Sequence, residues 1–312
     1  MKGGRHPGTG TGGRATAFLL LAALLAGCTH QPTTTSSDTD YAGLFGAGSG
    51  VAYATEPPAG SAAEAMAKGD LALAKGDSDR ALYEYIRSLS AQGDQADAFY
   101  KIGAIHAARG NDAVAEIAYR RTLVVDPGHA PTLTGLGILL TRKRAYAEAE
   151  TQLRAALGKD PKLAGAHNAL GVLADVQGEH DQAQMHFNAG LVLAPRSPTL
   201  RNNLGYSYYL AGKHKAAIKE FRQALELNPD YAMAWRNLGL VYSRQGRYEE
   251  ALAAFGKVQD LPKAYNDVGY IAMVAGRLDD AASFFEEAKR LSPEYYPTAS
   301  ENAIRVKTLK GK

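Results

Sequence analysis

The side chains that could carry out chemistry are few, and their spacing argues against an enzyme. Cys28 is the only cysteine, which leaves no internal disulfide. His180 and His186 are six residues apart, whereas two metal ligands on one helical face need a spacing of three or four. The acidic pairs Glu249-Glu250 and Asp279-Asp280 precede apolar helical runs, where they suit the positive end of a helix dipole. The sequence has no phosphate-binding Walker loop, no nucleophile elbow and no HExxH zinc motif. From this inventory we expect no catalytic residue, no metal and no cofactor.

Cys28 has a context of its own. Lys2, Arg5 and Arg14 precede a largely apolar run, residues 15–26, too short to cross a bilayer, which needs roughly 20 residues. The run ends in Leu25-Ala26-Gly27-Cys28, which resembles the bacterial lipobox: leucine, two small residues, and the cysteine whose sulfur takes up diacylglycerol. The resemblance implies a lipoprotein signal peptide over residues 1–27, lipidation of Cys28, and a membrane anchor to which each buried CH₂ contributes about 0.8 kcal/mol. Thr29 and His30 follow the cysteine, which by the same resemblance points to the outer membrane, facing the periplasm. Loss of Lys2, Arg5 and Arg14 with the signal peptide brings the 35 basic residues level with the 32 acidic ones. A chain without net charge has no field to draw it onto nucleic acid. Residues 28–61 are rich in Thr, Ser, Gly and Pro, lack helical periodicity, and read as a flexible tether with a reach of roughly 30 Å.

From Ala62 the chain repeats itself. Seven segments start at Ala62, Ala96, Ala130, Ala164, Pro198, Ala232 and Pro262, five of the six spacings being equal and the last four residues shorter. They give boundaries of 62–95, 96–129, 130–163, 164–197, 198–231, 232–261 and 262–295, with a capping helix and basic tail over 296–312. The eighth residue is glycine every time, from Gly69 to Gly269; the twentieth is alanine; the twenty-fourth is Tyr85, Tyr119, Leu153, Phe187, Phe221, Phe255 or Phe285. Glycine inside a helix costs about 1 kcal/mol relative to alanine. Its recurrence in phase therefore requires a close approach, and we expect the two helices of each hairpin to cross there with backbones nearly touching. A second glycine between the helices, as at Gly110 and Gly212, suits a left-handed C′ position. Prolines such as Pro127 and Pro229 end the second helix. His106 and His167 fall where packing residues stand. In the first segment Lys68 and Gly93 replace an apolar residue and a proline, as in a solvated end cap. The short spacing implies that the sixth second helix has lost about one turn, that Pro262 opens the last hairpin abruptly, and that curvature changes there. Ala299, Ala303, Val306 and Leu309 give Thr298–Leu309 an apolar face for capping.

Trp235, Leu238, Gly239, Tyr242, Ala251 and Phe255 reproduce in one segment the signature of the tetratricopeptide repeat, and residues 62–295 resemble that family throughout. The resemblance implies an all-α solenoid, a right-handed superhelix of antiparallel helix pairs, in which the first helices line a groove that binds a protein segment. In the last three repeats the positions facing such a groove are Tyr206, Tyr209, Leu210, Met233, Arg236, Leu240, Ser243, Arg244, Tyr270 and Met273, a mixture of apolar rings and arginines suited to an extended peptide or a partner helix.

A lipobox, a tether and such an array together are similar to the assembly lipoproteins of bacterial pili, above all the TadD family of the tight-adherence (Flp) pilus, with Arg201-Asn202-Asn203-Leu204-Gly205-Tyr206 and the tail after Tyr295-Tyr296 as the matching stretches. The type IV pilus pilotins, which carry a secretin, are near neighbours. The similarity implies a secretin or another pilus or secretion component as partner, and neither nucleic acid nor a small-molecule substrate. An adaptor for peptidoglycan hydrolases and a subunit of an outer-membrane protein assembly machine remain open alternatives.

Overall fold

A computed structural model of the chain describes residues 60–292 and 296–311. The expected signal peptide, Cys28 and all but the end of the expected tether lie outside the described residues, as do Pro293, Glu294, Tyr295 and Lys312. The described residues form fifteen helices and no strand. In order they are α1 (Ala62–Ala74), α2 (Ser78–Gln92), α3 (Ala96–Ala108), α4 (Asp112–Val125), α5 (Ala130–Arg142), α6 (Tyr146–Lys159), α7 (Ala164–Gln177), α8 (His180–Leu193), α9 (Pro198–Leu210), α10 (His214–Leu227), α11 (Ala232–Arg244), α12 (Tyr248–Phe255), α13 (Leu261–Val274), α14 (Leu278–Leu291) and α15 (Pro297–Lys310). The chain forms two compact units, one ending at Val176 and one beginning at Gln177. Among the described residues no helix is long and apolar enough to cross a membrane.

Local chemistry sets the helix ends. Ser61, Asp77, Ser197 and Asp260 each accept a backbone N–H three residues on, at 2.9–3.2 Å, which satisfies a donor the first helical turn leaves open. The helix α3 stops in a Schellman turn. Gly110 has φ 77°, and the Asn111 N–H reaches the His106 carbonyl at 2.9 Å, a geometry that glycine enters without strain. The third repeat has no glycine at this position, and Arg144 takes the left-handed conformation itself, with φ 62°. Second helices end in a side-chain turn that the repeat signature does not advertise. Asp126, Asp160 and Asn228, each just before a proline, accept the backbone N–H two residues on at 2.9–3.1 Å.

In the first unit α1–α2, α3–α4 and α5–α6 pack as antiparallel pairs. One cluster joins Leu82, Tyr85, Leu89, Phe99 and Ile102, and a second joins Tyr119, Leu136, Leu139, Leu153, Leu170 and Leu173. The second unit pairs α9 with α10, α11 with α12 and α13 with α14, and α15 closes its end. There Ala303 and Val306 lie against Phe285, Ala272 and Met273.

The recurrent glycine has a more specific reason than backbone contact. A Cβ on Gly103 would stand 2.7 Å from the Tyr119 ring, on Gly205 2.8 Å from Phe221, on Gly239 2.8 Å from Phe255 and on Gly269 2.9 Å from Phe285. The large residue of the second helix thus occupies the space that a side chain on the first would need. The backbone is close as well, since the Ala217 carbonyl oxygen lies 3.2 Å from the same point at Gly205. The alanines Ala81, Ala115, Ala149, Ala183, Ala217, Ala251 and Ala281 are all fully buried.

Several expectations need correction. The second helix of the sixth repeat is 8 residues long where α10 has 14, a larger loss than the spacing suggests. The residues between Phe255 and Leu261 must hold both a tightened turn, with Lys257 N–H on Ala254 and Val258 N–H on Phe255, and the Asp260 cap of the next helix. That helix starts at Leu261, so Pro262 sits within its first turn and not at its first position. Leu309 is 41% exposed and does not join the capping face of α15. His106 is fully buried, whereas His167 is only half-buried, and partial burial lowers its pKa. Lys68 is exposed and paired with Glu64 at 2.8 Å, and α2 ends on Gly93, which has φ 81°.

The glycine–ring contact makes a direct prediction. Gly205→Ala should destabilise the chain by about 1–3 kcal/mol, because the Phe221 ring and the Ala217 carbonyl leave the new methyl no space. Urea unfolding of the variant beside wild type measures this, and an unchanged midpoint would refute it.

Candidate functional site

The helices α9, α11 and α13 lie side by side in the second unit, and their shared face carries the ten residues expected to grip a partner. Burial divides them. Tyr206, Leu240 and Met273 are buried at 6–7% exposure, and Ser243 is fully buried. Met273 belongs to the core around Phe285, and the Ser243 hydroxyl donates to the Gly239 carbonyl of its own helix at 2.8 Å. These four are packing residues, a correction to the expected groove, because the helices approach closely enough to cover them. Arg236 and Tyr270 are exposed, and Tyr209, Leu210, Met233 and Arg244 are half-exposed. The Arg244 Nε donates to the Tyr209 hydroxyl at 3.3 Å, which ties α11 to α9 and holds the tyrosine ring in place. The Arg277 guanidinium in turn binds the Arg244 carbonyl and donates to the Tyr248 hydroxyl.

Beneath this surface lies a polar seam that the sequence pattern did not reveal. Asn237 Nδ2 donates to Asn202 Oδ1 at 2.8 Å across α11 and α9, and both side chains are buried. Asn302 Nδ2 donates to Asn266 Oδ1 at 3.0 Å between α15 and α13. The signal was present as asparagines recurring about one repeat apart, yet only the packing shows that they reach each other. Buried amides are costly unless paired, so these bonds fix the register of neighbouring first helices.

The same face holds one perturbed acid. Asp267 accepts from Gln259 Nε2 at 2.9 Å, and burial pushes its carboxyl above the usual carboxylate range, with the hydrogen bonds from Gln259 and Asn266 and the charge of Arg236 opposing. The corresponding face of the first unit is internally compensated. There Lys101 binds Asp70 and His129 approaches Asp97 at 3.4 Å, around a recess of about 730 Å³ that also touches Met66. Among the described residues no three His, Cys, Asp or Glu side chains gather as metal ligands would, and His180 and His186 lie on α8. Cys28 lies outside the described residues.

Tetratricopeptide repeat models match residues 66–130, 134–198, 168–220, 205–246 and 232–261, together more than half of the chain. The chain is a tetratricopeptide repeat protein. Solved structures agree on the fold. A tetratricopeptide repeat protein from Parabacteroides merdae is 17% identical with a TM-score of 0.56, over 78% of this chain and 98% of that one. Pseudomonas aeruginosa pilF is 23% identical with a TM-score of 0.52, over 66% and 95%. A thermophilic tetratricopeptide protein of Thermus thermophilus is 22% identical with a TM-score of 0.51, over 62% and 100%. No curated protein sequence matches. Such repeats are protein-interaction scaffolds, and the tetratricopeptide face on α9, α11 and α13 has the composition for that work. It exposes tyrosine, methionine and arginine over a fixed polar seam.

Two measurements test the seam and the acid. Asn237→Leu leaves the buried Asn202 carbonyl oxygen without its donor and should cost about 1–3 kcal/mol. The double change Asn202→Leu with Asn237→Leu should recover most of that loss in a double-mutant cycle; additive losses would refute the pairing. Asp267 is held protonated more readily when folded than when unfolded, so ionising it lowers stability as pH rises from the ordinary aspartate range to its raised value. Asp267→Asn should therefore stabilise the protein at neutral pH, and the gain should vanish below the ordinary aspartate range. A gain that persists in acid would show another cause.

Proposed function

We propose that this tetratricopeptide protein is a lipid-anchored scaffold at the outer membrane, facing the periplasm, that binds a segment of a pilus or secretion component such as a secretin. One observation carries the binding role: the exposed Arg236 and Tyr270 and the half-exposed Met233, Tyr209 and Arg244 stand on adjacent first helices, of which α9 and α11 are tied together by a buried amide bond and by the Arg244–Tyr209 contact, so the gripping surface is formed before a partner arrives. Preorganised aromatic and arginine side chains lose little freedom on binding. The anchor rests on Leu25-Ala26-Gly27-Cys28, and the pilus assignment rests on the resemblance of the lipobox, tether and array to the TadD family. Anchoring raises the local concentration of the scaffold at the membrane where its partner assembles.

The test uses the full chain in cells. Cys28→Ser should move it from the membrane to the soluble fraction. Arg236→Glu with Tyr270→Ala should leave it at the membrane but weaken its crosslinking to the secretin subunit about tenfold, the effect of losing one or two central contacts. Normal pilus output in a deletion strain would overturn the pilus role. Capture of cell-wall hydrolases in place of the secretin, or a fall in porin levels, would transfer the scaffold to those machines.

A further inference from the structure

The second unit has another recess, of about 590 Å³, on α10, α11 and α12, and it shares no residue with the face described above. It lies where α12 stops short, so that Lys257 of the following turn borders it. Leu238 and Ala254 line it and are themselves almost fully buried, beside the rings of Trp235 and Tyr242. Both rings are held. The indole Nε1 donates to the Pro229 carbonyl at 2.8 Å, and Arg222 donates to the Tyr242 hydroxyl at 2.9 Å.

The charges around the recess are unequal. Glu250 is bound by Arg247 at 2.5 Å, and that guanidinium lies over the Tyr242 ring at 4.4 Å. Arg222 bonds a neutral hydroxyl, and Lys257 lies 5.9 Å from the centre of the Trp235 ring system. Neither has a carboxylate within ion-pair distance among the described residues. Glu226 also lines the recess, and Glu250, although bound by Arg247, feels the charge of Arg222 as well.

We propose that this recess is a docking site for a segment of a partner protein in which an aromatic or aliphatic side chain is flanked by acidic residues. The apolar side chain enters between Trp235 and Tyr242, and the flanking carboxylates meet Arg222 and Lys257 through charge-assisted hydrogen bonds. A basic segment would set its charges against the same two cations. The site is independent of the α9–α11–α13 face, and neither stands or falls with the other.

Trp235 is the only tryptophan of the chain, so its fluorescence reports on the recess alone. The peptide acetyl-Asp-Glu-Leu-Phe-Glu-Asp-amide, titrated into the purified full-length chain, should shift that emission saturably, and added salt should weaken the effect. The double reversal Arg222→Glu with Lys257→Glu, checked for unchanged helicity by circular dichroism, should weaken binding about tenfold or more and create affinity for the Lys-flanked version of the peptide. Lys257→Glu alone should give part of this change if the double variant fails to fold, and Arg305→Glu, an exposed residue of α15, should give none. Absence of saturable change, equal binding of the acidic and Lys-flanked peptides by wild type, or indifference to the charge reversal would each overturn the proposal. So would an equal response to anionic phospholipid vesicles, which would assign the recess to lipid.

Discussion

Each described hairpin depends on a contact between a missing side chain and a large one. Where Gly205 lacks a Cβ, the Phe221 ring fills the space, and Ala217 keeps the second helix close enough for that to happen. The glycine weakens its own helix by about 1 kcal/mol, but full burial of a phenylalanine ring stabilises by about 1.5–3 kcal/mol, so the exchange favours the pair over the isolated helix. The geometry tolerates chemistry at the ring position. Leu153 fills the place above Gly137 where the other described pairs use an aromatic ring, because volume and not aromaticity is what the site requires.

Close hairpins dictate what is left for function. The facing sides of both helices in each pair are consumed by packing, so what is left for recognition is the surface that neighbouring helices leave uncovered. On the first helices, close neighbours remove Ser243 and Met273 from that surface. Amide bonds such as Asn237 to Asn202 then supply directionality that apolar packing lacks. The remaining tyrosine and arginine side chains sit on a support whose register is fixed.

The break after α12 shows what happens when the repeat is shortened. A hairpin deprived of four residues cannot keep both its helix and its connection, and the helix gives way. The consequences are local: a turn that presents Lys257, a recess beside Trp235, and Gln259 placed to donate to Asp267. Irregularity in an otherwise periodic array thereby creates side-chain arrangements that the periodic positions do not contain.

The sequence by itself determined the helical class, the phase of the hairpins and the left-handed turn at Gly110, because glycine, alanine and proline act through backbone geometry and leave a mark at a fixed position. Only the tertiary structure decided which residues of the expected groove are available. Tyr206 and Tyr209 occupy the same kind of position in one helix, yet one is buried and the other half-exposed, and that difference comes from neighbouring helices far away in sequence. The asparagine seam and the recess at Trp235 were illegible for the same reason: they depend on distances between helices, which no spacing along the chain records.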